Sequence, residues 1–138
     1  MYYISKENAS GLKHLGFQGK VLTYYLIHEG NDNLYADDEL KNYNLNSLDN
    51  PRISAPTLLE AADWLRDNYD VHISFLPKST TVLFLADPER EWKIMKIPTE
   101  IEAVYIDDNQ RNRAVSYCIE KINRILRSDP HYFPSKKS

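Results

Sequence analysis

Residues 53–75 read ISAPTLLEAADWLRDNYDVHISF, and how they are read decides the fold. Pro56 disfavours helix at the residue before it. Thr57 and Glu60 stand three apart, the spacing of a capping box in which each side chain takes the other's backbone N–H. Leu58, Ala62, Leu65 and Tyr69 follow at steps of four, three and four, which is one apolar face of a helix. Residues 68–70 supply a stop. Val71, Ile73 and Phe75 then alternate with His72 and Ser74, the two-residue period of a strand with one apolar face. The stretch therefore predicts a helix over about 57–69 with a strand directly behind it.

Downstream, residues 81–86 (TVLFLA) are apolar on both sides, as in a central strand. Turns at 77–79 and 87–90 flank them. Residues 91–97 predict a third strand with Trp92 and Ile94 on one side, ended by Pro98, and 101–106 a shorter fourth. Asp107 or Asp108 caps a last helix over about 108–127, where Val115, Cys118, Ile119, Ile122, Ile125 and Leu126 form a stripe. Lys121, Arg124 and Arg127 lie toward its C-terminal end, where the helix dipole favours cations. Short connections between these strands favour antiparallel pairing.

Upstream, Ser5 caps a short helix that Gly16 ends. Residues 21–28 (VLTYYLIH) predict a strand bounded by Gly19 and Gly30. Leu34 and Tyr35 pair back as a short hairpin arm. Asp37 caps one helical turn, and residues 42–50, with four Asn, form a loop. The expectation is an α+β class: one two-layer domain over 1–128 with a loosely held tail at 129–138. A mostly antiparallel sheet of about four to five strands is packed by two main helices, with a short N-terminal helix added.

Composition bounds the function. The chain has 138 residues, 42% hydrophobic and 27% charged, so it can bury a core without a metal or disulfide. A net charge of −3 argues against a protein whose main task is to neutralise phosphate. A single cysteine excludes an internal disulfide and fits a cytoplasmic setting. The start, MYYISKENAS, lacks the basic end and apolar core of a secretory signal. No apolar run approaches the roughly 20 residues that span a bilayer, so no membrane partner is expected.

Ser54-Ala55-Pro56-Thr57-Leu58, Trp64-Leu65-Arg66 and Val71-His72-Ile73 together resemble a pattern in small uncharacterised proteins of bacteriophages and prophage-like elements of gut bacteria. Those proteins also open with a short helix and close with an Ala-rich amphipathic one. The last helix here is richer in Arg and Ile, and the Asn-rich loop before Pro51 is longer. The resemblance implies phage or mobile-element origin and the host cytoplasm. It implies no activity and no site residues.

Glu60, Asp63 and Asp67 share the helix face opposite the apolar stripe, and Asp70 extends the group. Such a face is either solvated or complementary to a basic partner surface. Trp64, about 100° from the stripe, either packs under the N-terminal segment or stands out as an anchor for a partner. The runs Asp37-Asp38-Glu39 and Asp107-Asp108 read as helix starts and lack the spacing of a calcium loop. Four separated histidines and one cysteine offer no zinc pattern, and His72 points away from the apolar side of its strand. Cys118 reads as a small buried hydrophobe. No nucleophile elbow, P-loop or dinucleotide fingerprint occurs. No catalytic, cofactor-binding or metal residue is therefore assigned, and no cofactor is expected.

These features favour a non-enzymatic accessory protein that binds a host or phage protein partner through Glu60, Asp63, Trp64 and Asp67. The alternative is a nucleic-acid-binding module. Helix–three strands–helix is the element order of double-stranded-RNA-binding domains, and Arg111, Arg113 and Lys78 could approach a backbone, although the acidic helix opposes that. An enzyme with a dispersed site ranks third. Sheet edges leave homo-oligomerisation open.

Overall fold

The computed structural model describes residues 3–44, 51–75, 79–84, 94–98 and 108–133. The expectations for Lys78, Trp92, the turn at 87–90, a strand over 101–106 and a cap at Asp107 lie outside these residues, as does most of the loop at 42–50. The class is α+β. The chain divides into two compact units, Met1–Ala61 and Ala62–Ser138. Among the described residues the strands form two antiparallel sheets of three, where one sheet of four to five was expected. The reason is local: a helix intervenes between the third and fourth strands, so each set of strands pairs along its own connections.

In the first unit, α1 (Lys6–His14) begins at Ser5, whose side chain accepts a hydrogen bond from the Asn8 N–H at 3.2 Å. It ends as the sequence predicts. Gly16 takes φ +100°, the Gly16 N–H donates to the Lys13 carbonyl, and the Phe17 N–H donates to the Leu12 carbonyl. That is a Schellman ending, with Leu12 and Phe17 both buried as its apolar contact. A Cβ at Gly19 would lie 2.7 Å from the Phe17 ring, so that position needs glycine.

Strand β1 (Val21–Leu26) is central, flanked by β2 (Tyr35–Lys41) and β3 (Arg52–Ser54), and α1 packs on β3. Val21, Thr23 and Tyr25 face inward. Thr23 Oγ1 donates to the Ala55 carbonyl at 2.5 Å and Tyr25 Oη to the Ile4 carbonyl at 2.6 Å, so the buried hydroxyls are satisfied. The helical turn expected from Asp37 is absent. Asp37-Asp38-Glu39 lies within β2, where pairing with β1 overrides the local preference of acidic residues for a first turn.

Helix α2 (Leu58–Tyr69) starts with the predicted capping box. The Thr57 N–H donates to Glu60 Oε1 at 3.0 Å and the Glu60 N–H to Thr57 Oγ1 at 3.1 Å. Leu58, Ala62 and Leu65 of the predicted stripe are buried, together with Ala61. Asp70, at φ +55°, ends the helix.

In the second unit, β4 (Val71–Phe75), β5 (Ser79–Phe84) and β6 (Ile94–Pro98) form a meander with β5 central. Helix α3 (Asp108–Ser128) packs across all three strands. Val115, Cys118 and Ile122 of its stripe are fully buried, and so is Val82 on β5. Within the expected tail, residues 129–133 form a turn in which the Tyr132 N–H donates to the Asp129 carbonyl.

Candidate functional site

The helical periodicity of α2 places Glu60, Asp63 and Asp67 on one exposed face. They are not equivalent. The Glu60 carboxylate is spent on the capping box. Asp63 and Asp67 share one cation, Arg66, with Nη1 3.3 Å from Asp63 Oδ1 and Nε 3.3 Å from Asp67 Oδ1. Arg66 offsets part of the acidity that the sequence places here. Such solvent-exposed pairs add little to stability, of order 0–1 kcal/mol each.

Trp64 is half-buried and belongs to an aromatic chain. Its ring meets Tyr69 edge-on at 5.6 Å, and Tyr69 meets Phe133 at 4.9 Å in the same geometry. Tyr132 contacts Phe133 at 5.2 Å. The Asn68 side chain caps the Trp64 carbonyl at 2.9 Å. Burial raises the Tyr69 phenol above its ordinary value. The ring contact of Trp64 is thus with Tyr69 of its own helix rather than with the N-terminal segment named in the expectation.

Leu59, next to Glu60 and one turn before Asp63, is 67% exposed. In the sequence it lies one position off the apolar stripe and belongs to none of the expected site residues. That offset was itself the available signal: a leucine on the polar face.

A second cluster sits on the face of the first sheet opposite Val21, Thr23 and Tyr25, and includes the buried Tyr43. Tyr24 stacks on Tyr35 at 5.7 Å, lies 4.8 Å from Tyr43, and carries the Arg52 guanidinium 4.5 Å above its ring. Tyr35 Oη donates to Glu29 Oε2 at 2.6 Å, and this bond is the main cause that raises its phenol above the ordinary value. A shallow cleft of about 480 Å³ lies nearby, lined in part by Lys6, Glu7, Glu29 and Asp32. Lys6 Nζ spans it and donates to the carbonyls of Glu29 and Asn31 at 2.6 and 3.0 Å. The Lys6 ammonium and the Glu29 carboxylate thereby hold the loop after β1.

Cys118 is fully buried, and burial pushes its thiol well up, with Lys121 acting weakly in the opposite direction. A neutral, enclosed thiol is no nucleophile. His14, His28 and His131 are exposed, and His72 is half-buried with Nε2 3.4 Å from Asp70 Oδ1. Among the described residues no group of three or more His, Cys, Asp or Glu is placed to hold a metal ion, and no helix is long and apolar enough to cross a membrane.

No protein-family model matches the chain, and no curated protein or solved structure is significantly similar to it.

Proposed function

We propose that this chain is a non-enzymatic accessory protein of phage or mobile-element origin that acts in the host cytoplasm by binding a protein partner through the solvent face of α2. The observation that carries the reading is Leu59, the most exposed large hydrophobic among the described residues, set beside Glu60 and Asp63. An apolar anchor rimmed by charge is how a helix face presents itself to a partner. Asp63 and Asp67 add electrostatic steering toward a basic surface, moderated by Arg66. Trp64 and Tyr69 stiffen the helix end behind them.

The test is quantitative capture from host lysate, with nuclease present, by wild type, Leu59→Ser and the pair D63K/D67K. All three sites are exposed, so circular dichroism melts should coincide. Loss of the same captured protein from both variants supports the reading. Capture undiminished in both overturns it.

A second reading has one observation in its favour. α2, β4, β5, β6 and α3 reproduce the helix–three strands–helix order of double-stranded-RNA-binding domains, with an antiparallel sheet. Arg111 weighs against it. Its guanidinium lies 5.6 Å over the Phe75 ring and its Nε is buried, so it is turned into the fold, while Arg113 is exposed. Salt-dependent retention on duplex RNA that Arg113→Glu abolishes would favour this reading over the first.

A further inference from the structure

Besides Leu59, the exposed large hydrophobics among the described residues are Leu22, Leu34 and Leu40, all on or beside the first sheet. Their setting is unusual. Val21 pairs with Lys41 and Thr23 with Ala36, so two steps along β1 answer five along β2. Leu22 alone faces residues 37–40, which bow out of the ladder. Leu40 is 61% exposed and Leu22 44%. Asp37, Asp38 and Glu39 precede Leu40, and Lys41 follows it, 3.9 Å from Asp37 and 3.6 Å from Glu39. A bulge and charges on an edge strand obstruct pairing with a further strand. What this edge offers is side chains, so its complement is a side-chain surface such as a helix face.

The chain carries such a face. The buried side of α3 packs on β4–β6. On its opposite side, Arg113, Tyr117, Glu120, Arg124 and Arg127 recur at steps of four, three, four and three, all exposed except the half-buried Tyr117. Three arginines, one glutamate and a tyrosine mirror three acids, one lysine and a leucine.

We propose that the β2 edge of one copy receives the solvent face of α3 from a second copy. The contact is heterologous: each copy retains one free edge and one free helix face, so association continues into rings or short chains as concentration rises. It is weak and salt-dependent, because its charged pairs lie near solvent. It uses none of the residues assigned above to partner capture, so the two ideas fail separately.

Sedimentation velocity on the full chain tests it. Wild type should shift from monomer to larger species with concentration at about 0.02 M salt, with an association constant roughly tenfold lower at about 0.5 M. D38R/E39R carries two basic surfaces and R124E/R127E two acidic ones, so each should remain monomeric alone. Mixed, they should associate again, because every contact between the two variants then joins opposite charges. The neutral pair D38N/E39Q, gentler on the fold, should show intermediate association. Wild type that stays monomeric at low salt, a charge-reversed variant that still self-associates, or a mixture that does not associate would each overturn the proposal.

Discussion

Cys118 is the one thiol in the chain and lies fully enclosed where α3 meets the second sheet. Two substitutions separate the reading of an apolar filler from that of a polar group. Cys118→Ala removes a buried sulfur and leaves a small void, at a cost of about 1 kcal/mol. Cys118→Ser keeps the volume close but buries a hydroxyl, at about 1–3 kcal/mol if nothing accepts its proton. On a helix, serine can donate back to the carbonyl four residues earlier, here Ala114, which recovers part of that cost. Serine should therefore be the worse replacement by about 1 kcal/mol. With a urea slope of about 2 kcal/mol per molar, the two midpoints should differ by about 0.5 M at an unchanged slope. A serine variant as stable as the alanine variant would refute the claim that this position is apolar.

The same residue gives a pH signature. The unfolded thiol ionises near its ordinary value of 9.0, while burial raises the folded one. Above that value the unfolded state has lost a proton that the folded state keeps, so fewer protons are bound on unfolding and stability falls as pH rises. The slope approaches about 1.4 kcal/mol per pH unit. Between pH 9.0 and 10.0 wild type should lose stability faster than Cys118→Ala, which carries the same tyrosines. Equal slopes in denaturant titrations across this interval would show that the thiol is not held neutral.

Three further outcomes are expected. Gly16→Ala meets no neighbour within 4 Å, so its cost is backbone strain alone at φ +100°, about 1–2 kcal/mol, read from a thermal or urea melt. Thr57→Ala should cost about 1 kcal/mol and Thr57→Ser much less, because serine restores the bond to the Glu60 N–H. In an alkaline absorbance titration, Glu29→Gln should let the Tyr35 phenol ionise at lower pH than in wild type, and Tyr35→Phe should remove that late-titrating phenol altogether.

The parts of the fold that could be read in the sequence are those set by neighbours along the chain. The Thr57–Glu60 exchange, the glycine ending of α1 and the stripe of α3 each depend on residues within a turn or two. What could not be read depends on distant pairing. Asp37-Asp38-Glu39 has the composition of a helix start and becomes strand only because β1 lies alongside. The same holds for the division into two sheets, and for the stack of Arg52 on Tyr24, which joins residues 28 apart in the chain. At the candidate surface, the shared helix face was legible from spacing. The Arg66 bridge and the docking of Phe133 on Tyr69 needed geometry.

The border between the two compact units falls between Ala61 and Ala62, inside a helix of 12 residues. A gene cut there would leave about one turn of α2 on the first fragment, too short to hold a helical shape alone. The second fragment would begin without the Thr57–Glu60 start that secures its first N–H groups. The border is therefore crossed by one continuous helix. Fragments meant to be produced separately must duplicate residues 57–69 in both. A protease searching for a linker should find none at this border.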